Sequence, residues 1–257
     1  MHEAELLFTE VLNCGRPELY LNKDLKLSKG KGTLISDVLK RRALGEPLQY
    51  ILGKSDFYGL QFKVTPDCLI PRPETEILVE TARKYPAENI LELGTGSGCI
   101  AVSLAKSLTQ ARITATDISD KALAVAKENA LIHKVNIDFI KADLFDAYGL
   151  TPNTYGLIVS NPPYIASGDI ETLQPEVRNE PRVALDGGAD GLEIYRRISA
   201  SAAQFLVDAG HLIVEMGFGQ AQDIIKIFKK TQRFEIIDVV KDYNNIERVI
   251  VAQKKVK

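Results

Sequence analysis

Cysteine and histidine are scarce. The 257-residue chain has three of each: Cys14, Cys68 and Cys99, and His2, His133 and His211. No two cysteines form a Cys-x-x-Cys pair and no histidine stands at ligand spacing from one. This excludes the common zinc patterns, and no metal is expected. Isolated cysteines indicate a reducing compartment, and Cys99, at a helix start, reads as a small packed residue. An excess of either charge is also lacking. With 32 Lys and Arg against 34 Asp and Glu, the net charge is −2, which argues against a chain whose main task is to grip a phosphate backbone. No apolar run approaches the ~20 residues that cross a bilayer. Met1-His2-Glu3-Ala4-Glu5 offers neither a basic region nor a long apolar core, so no signal peptide is expected and a cytoplasmic location is. Internal repeats and low-complexity segments are absent. What remains is an ordinary globular composition, 45% apolar and 26% charged. The length suits one large domain, or a large one with a small one.

Residues 1–53 read as a helical module of three or four helices. Ala4, Leu6, Leu7, Val11 and Leu12 recur at helical spacing, as do Leu34, Ile35, Val38, Leu39 and Ala43. Thr33 or Ser36 is the expected cap of the second of these helices, and Lys23 to Gly32 reads as loop. The module has eight Lys and Arg against seven Asp and Glu, so it is no basic arm. Residues 54–72 read as a linker, with a β-hairpin over Phe57–Val64 built around Gly59. Pro73 fits the first turn of a helix running to about Lys84. From about residue 88, strand and helix alternate. Strands are expected at Asn89–Leu93, Arg112–Thr116, Asn136–Lys141, Tyr155–Ser160 and His211–Met216. Helices are expected at Cys99–Leu108, Asp120–Ile132, Leu192–Phe205 and Gln220–Lys230. Phe234–Val239 and Arg248–Ala252 form a terminal hairpin. The pattern predicts an α/β, doubly wound, Rossmann-like domain over 73–257 whose sheet ends in an antiparallel hairpin.

The first expected strand runs into Glu92-Leu93-Gly94-Thr95-Gly96-Ser97-Gly98. Glycines between a strand and a helix let the backbone turn tightly and approach a ligand. The spacing is tighter than a dinucleotide fingerprint, which suits a cofactor without phosphate such as S-adenosyl-L-methionine. Asp117 ends the second strand, 19 residues after Gly98, where an acidic side chain accepts from ribose hydroxyls. Asp143 follows the third strand, placed to accept from an adenine amine, with Leu144 covering the ring. Glu92 is placed to lie under the methionine ammonium. Each aspartate has a plainer reading as a helix cap, since Ser119-Asp120 opens a helix directly after Asp117.

Asn161-Pro162-Pro163-Tyr164 follows the apolar run Leu157-Ile158-Val159, in a loop off a buried strand. An amide nitrogen is a poor nucleophile because its lone pair is delocalised. Acceptors for its hydrogens stabilise the charge that develops as it attacks. Asn161 supplies a side-chain carbonyl and Pro162 a backbone carbonyl. The prolines stiffen the loop, and Tyr164 offers a flat face to a planar group. An adenine amino group poses the same chemical problem. A rigid turn without chemistry is the plain alternative. The tetrapeptide's place after the fourth strand, downstream of a glycine loop after the first, favours catalysis.

The chain resembles the peptide chain release factor glutamine methyltransferases. The resemblance rests on the tetrapeptide and on Pro47-Leu48-Gln49-Tyr50-Ile51-Leu52-Gly53. It rests also on Leu69-Ile70-Pro71-Arg72-Pro73-Glu74-Thr75-Glu76, on Asn179 to Gly188 with Asp190-Gly191-Leu192, and on Glu215-Met216-Gly217 and Arg248-Val249. It spans essentially the whole length. It implies methyl transfer from S-adenosyl-L-methionine, leaving S-adenosyl-L-homocysteine. The acceptor it implies is the glutamine amide in the Gly-Gly-Gln loop of class I release factors. Gly94, Thr95, Gly96, Ser97, Gly98, Asp117 and Asn161 would hold the cofactor. Asn161, Pro162, Pro163 and Tyr164 would hold the glutamine. Many family members carry tryptophan where this chain has Leu144, which puts cofactor affinity at issue. Arg72 has two readings, a carboxylate-binding group or an interdomain ion pair, and Glu180-Pro181 reads as a lid. Neither a membrane nor a nucleic acid is an expected partner. Two other functions fit part of the pattern: a DNA adenine methyltransferase, which would need a target-recognition insertion not visible here, and a non-catalytic cofactor-binding adaptor.

Overall fold

The computed structural model describes residues 3–21 and 27–256. Four helices open the chain: α1 (Glu3–Leu12), α2 (Arg16–Leu21), α3 (Lys29–Ala43) and α4 (Leu48–Leu52). Leu7 of α1, Ile35 and Val38 of α3 and Leu48 of α4 form a core to which α2 adds no buried residue. Helix α3 starts earlier than the sequence predicts. Ser28, not Thr33 or Ser36, caps it by accepting from the Lys31 N–H. Gly30 and Gly32 thus lie inside the first turn rather than in a loop, where a Cβ at either would meet nothing. Lys23 to Lys26, the start of the expected loop, lie outside the described residues.

The hairpin β1 (Lys54–Phe57) and β2 (Leu60–Lys63) turns at Tyr58-Gly59. Two buried side chains tie this linker down. The Tyr50 hydroxyl donates to the Cys68 carbonyl at 2.6 Å. Asn129 accepts from the Lys63 N–H at 2.8 Å and donates to the Lys63 and Ser97 carbonyls at 2.9 and 2.8 Å. Pro73 starts a single 3-10 turn, Pro73–Thr75, followed by α5 (Glu76–Ala82), which stops short of Lys84.

Then follow β3 (Asn89–Leu93), α6 (Cys99–Ser107), β4 (Arg112–Asp117), α7 (Asp120–Ile132), β5 (Asp138–Lys141) and β6 (Tyr155–Ser160). The chain continues with α8 (Pro175–Arg178), α9 (Glu193–Phe205), β7 (Leu206–Glu215), α10 (Ala221–Lys230), β8 (Phe234–Lys241) and β9 (Glu247–Lys254). The seven strands lie in the order β5-β4-β3-β6-β7-β9-β8. Strands β5 to β7 pair in parallel, and β9 runs antiparallel to both β7 and β8. The Rossmann-like architecture with a terminal hairpin is the one the strand–helix alternation predicts. Strand β7 begins five residues before the expected His211. The reason is a register irregularity opposite Tyr155–Leu157, with Ala209 at φ +58° absorbing it.

The central strands are buried on both faces, which is why they read as continuous apolar runs. In β6, Ile158 packs towards α9 and α10, while Leu157 and Val159 pack towards α5 and α6. Strand β3 splits likewise: Leu91 and Leu93 face the first core and Ile90 the second. Glu92 alternates onto the Ile90 side, beneath α6. No described helix is long and apolar enough to cross a membrane.

Candidate active site

Sheet register brings the four motif-bearing loops together. Leu93, just before Gly94, pairs with Ser160, just before Asn161, and on its other side with Thr116, just before Asp117. Asp117 in turn pairs with Lys141, two residues before Asp143. Chain order reverses between β3 and β6, so the loops open a crevice at the carboxyl ends of the strands, where such sheets bind ligands.

Two adjoining cavities occupy that crevice. The first has a volume of about 460 Å³, and its walls include Leu69, Gly94, Gly96, Asp117, Leu144 and Asn161. The second, of about 230 Å³, is bounded by Leu69, Arg72, Asn161, Pro162, Tyr164 and Leu185 among others. Leu69, Asn161 and Ala184 line both, and Asn161 is the one polar side chain of the three.

Gly94 and Gly96 stand at φ +72° and +56°, and a Cβ at either would meet no atom within 4 Å. They form an open cradle at the wall of the first cavity. The other loop residues serve the scaffold. Gly98, at φ +81°, caps α6, and a Cβ there would press on Ala126 at 3.0 Å. Thr95 and Ser97 are buried behind the wall. The Thr95 hydroxyl donates to Glu92 Oε2 at 2.7 Å, and the Ala101 N–H donates to the same oxygen at 3.1 Å. Glu92 Oε1 is buried with no hydrogen-bond partner among the described residues. Burial pushes the Glu92 carboxyl up to about 8.

Asp117 is not a helix cap; Ser119 caps α7 by accepting from the Ala122 N–H. The Asp117 carboxylate instead accepts from the Gly96 N–H at 2.8 Å and the Ser119 N–H at 2.9 Å. It fixes the glycine turn while lining the first cavity. Burial raises its pKa, against the opposing pull of those backbone bonds. Asp143 caps nothing either: no helix follows it, and Arg197 of α9 holds it at 2.9 Å, both groups lining the first cavity. Leu144 beside it takes a left-handed φ of +56°, strained for a residue with a Cβ.

The Asn161–Tyr164 tetrapeptide divides between the cavities. Pro163 lines the first, Pro162 and Tyr164 the second. Asn161 Nδ2 donates to Thr75 Oγ1 at 3.2 Å. Burial pushes the Tyr164 hydroxyl up to about 12, so its ring stays neutral at ordinary pH. The loop after it is laced to the segment that follows Glu180-Pro181: the Ile165 N–H donates to the Leu185 carbonyl at 3.0 Å, and the Gly187 N–H to the Ile165 carbonyl at 2.8 Å. Arg72 forms an ion pair with buried Glu180, which also accepts from the Ile70 N–H at 3.1 Å. The ion-pair reading of Arg72 is the one the geometry supports.

Several site residues carry no sequence signal. Gln220 accepts from the Gly217 N–H and donates to the Tyr164 carbonyl, each at 2.9 Å, pinning the Asn161–Tyr164 loop from a distant turn. Arg197 and Ile194 reach the first cavity from α9. Their positions look like any amphipathic helix face. Among the described residues, no group of three or more His, Cys, Asp and Glu is gathered to hold a metal ion.

This donor set fits an adenosine-bearing cofactor. A glycine cradle, a cavity-facing carboxylate and apolar walls at Leu69, Ile118, Leu144 and Ile194 suit a ribose and a flat base. The Glu92 oxygen without a partner among the described residues lies buried beneath that cradle.

Comparison with known proteins agrees. Residues 73–188 match the methyltransferase small domain, and residues 1–53 match the PrmC N-terminal domain. The chain is 45% identical over 251 residues to the release factor glutamine methyltransferase of Geobacter sulfurreducens, covering 96% of this chain and 87% of that one. It is 41% identical over 262 residues to the release factor glutamine methyltransferase of Fusobacterium nucleatum, covering 99% and 73%. A solved methyltransferase from Pyrococcus furiosus shares the fold, with a TM-score of 0.61 at 17% identity, over 86% of this chain and 100% of that one.

Proposed function

The chain belongs to the release factor glutamine methyltransferases, and from that premise we propose the reaction its two cavities carry out. The methyl of S-adenosyl-L-methionine goes to the side-chain amide nitrogen of the glutamine in the Gly-Gly-Gln loop of class I peptide chain release factors. The observation that carries this reading is the position of Asn161, the one polar side chain shared by the two cavities.

The larger cavity is assigned to the cofactor, with Gly94, Gly96, Asp117, Asp143, Leu144 and Asn161 around it. Thr95, Ser97 and Gly98 shape the turn from behind. Glu92 sits fully buried under the cradle, where one carboxyl oxygen accepts from the Thr95 hydroxyl and the Ala101 N–H. When bound, the sulfonium supplies an electrophilic methyl carbon. Every other requirement falls to the chain itself. Asn161 Oδ1 and the Pro162 carbonyl accept the two amide hydrogens, which stabilises positive charge developing on nitrogen. Pro163 and Pro162 hold those acceptors rigidly, and the neutral Tyr164 ring covers the planar amide. Alignment across the boundary at Asn161 lowers the barrier by proximity. The nitrogen gains methyl, loses one hydrogen as a proton, and S-adenosyl-L-homocysteine leaves.

The division of labour along the chain follows: a docking module over 1–53, a linker over 54–72 and a catalytic domain over 73–257. Support comes from contacts between the module and the segment over the second cavity. Arg42 Nη2 lies 3.0 Å from Glu176 Oε1, and Asn179 Nδ2 donates to the Gly45 carbonyl at 2.9 Å. A protein seated on the module would therefore sit beside the roof of the glutamine cavity.

The test is mass spectrometry of a purified class I release factor after incubation with this protein and S-adenosyl-L-methionine. One added methyl group on the Gly-Gly-Gln glutamine is the expected result. No added methyl, in a preparation that binds the cofactor, overturns the assignment.

A further inference from the structure

A flat ring serves a planar amide only when it is held at one angle. Restraint along the Asn161–Tyr164 loop is uneven. Pro162 and Pro163 fix their own φ through their rings, whereas both backbone dihedrals of Tyr164 are soft. We propose that Gln220 is a positioning residue for the methyl transfer: it clamps the peptide group after Tyr164 and so sets the angle of the Tyr164 ring over the substrate amide. The proposal rests on the glutamine methylation assigned above.

Three segments far apart in sequence meet at the Gln220 side chain. Its Nε2 donates to the Tyr164 carbonyl at 2.9 Å and to the Gly191 carbonyl at 3.4 Å. Its Oε1 accepts from the Gly217 N–H at 2.9 Å. Every partner is a backbone group. A backbone N–H only donates and a backbone carbonyl only accepts, so the partners dictate which way the Gln220 amide faces. Gln220 directly precedes α10, yet its side chain does not cap that helix. It turns to the loop instead.

The Tyr164 carbonyl belongs to the same peptide group as the Ile165 N–H, which donates to the Leu185 carbonyl at 3.0 Å. One planar unit is therefore held from both sides, by Gln220 and by Leu185. With Pro163 stiff before it and this plane fixed after it, Tyr164 has little freedom to swing its ring. The neighbouring packing is shaped around the same contact. A Cβ at Gly191 would collide with the Tyr164 carbonyl oxygen and lie 2.9 Å from Gln220 Nε2. A Cβ at Gly217 would lie 2.8 Å from Gln220 Oε1 and 2.9 Å from Tyr164 Cδ2. Glycine at both positions is what lets Gln220 and Tyr164 approach. Tyr164 lines the second cavity, so the clamp acts on the substrate side.

The experiment is a double-mutant cycle in single-turnover methylation of a class I release factor at saturating cofactor. Cofactor Kd and the thermal midpoint are measured on each protein. Gln220→Met keeps the length of the side chain and removes both polar ends. Its rate is expected to fall about tenfold to a hundredfold, as misplacing a substrate-site group does, with cofactor Kd little changed. Tyr164→Leu removes the ring and keeps the carbonyl that Gln220 holds. In that background Gln220→Met is expected to cost far less, because the ring it positions is gone. A purely structural role gives the same factor in both backgrounds, and equal factors overturn the proposal. So does a parent-like rate in Gln220→Met, or a cofactor Kd weakened by the same factor as the rate. If Gln220→Met melts below the assay temperature, Gly217→Ala takes its place in the cycle. The φ of Gly217 lies outside the left-handed region, so alanine suits the backbone while its Cβ presses on Gln220 and the ring. A parent-like rate in Gly217→Ala then overturns the proposal. A parent enzyme that binds cofactor and methylates no release factor overturns the glutamine assignment first and this inference with it. That outcome is seen without any variant, so the two failures are distinguishable.

Discussion

Replacing Asn161 with alanine removes one carbonyl at the boundary between two cavities and one hydrogen bond to Thr75. The lost bond costs about 1 kcal/mol of stability. The lost acceptor costs more in the transition state, about 1.5–3 kcal/mol, or roughly 10- to 150-fold in kcat. Turnover falling far more than the unfolding midpoint is the expected result, checked by kinetics and denaturant titration on one preparation. Asp117 behaves differently, because it both lines the larger cavity and holds two backbone N–H groups. Asp117→Asn keeps one oxygen acceptor and sets an amide donor against one of those N–H groups. Weaker cofactor binding together with lower stability is expected, read by titration calorimetry and thermal melting. Glu92 gives a pH signature. Its pKa rises from 4.5 to about 8 on folding, so the folded state keeps a proton that the unfolded chain releases. Its contribution is fully present below the unfolded value and is lost as pH climbs towards the folded one. The parent should therefore lose stability relative to Glu92→Gln between about pH 5 and about pH 8, followed by denaturant midpoints at each pH.

At the scale of elements, the strands around the site were legible because each is a short apolar run bounded by turn residues. Strand β3 and helix α7 fall where the pattern puts them, with Ser119 marking the helix start. Helix α3 shows what the pattern conceals. Glycines at 30 and 32 look like loop, yet a single serine cap and an open surface permit a helix there. Asn129 shows a second gap. On the sequence it is one polar residue inside a helix. In the fold it is fully buried and bonds the hairpin and the glycine loop at once. Asn129→Leu would strand one N–H and two carbonyls, each costing about 1–3 kcal/mol. A loss of about 3 kcal/mol or more is expected, together with weaker cofactor binding, since Ser97 sits in the cradle's turn. Chemical denaturation and cofactor titration check the two effects.

Over the whole molecule, long-range ties join linker, lid and helical module around the crevice. One of them is the Arg72–Glu180 pair, with Glu180 only 5% exposed. Arg72→Ala leaves that carboxylate buried without its cation, at a cost of about 3 kcal/mol. In a domain of this size that corresponds to roughly 6–12 °C in Tm. Arg72→Ala together with Glu180→Gln should recover part of the loss, and thermal melting of both variants checks this. The sequence by itself determined the alternation of strands and helices, the glycine loop, the Asn-Pro-Pro-Tyr loop and the order in which they occur. These are local facts, fixed by side-chain period and by what glycine and proline permit. The tertiary structure alone decided that β3 lies beside β6, which sets Gly94 next to Asn161 although they are 67 positions apart. It also decided which loop residues face the cavities, and that Thr75 and Gln220 stand behind the Asn161–Tyr164 loop. Strand order and register arise from packing two apolar faces against helices, and that contest is settled by the whole chain rather than by any window of it.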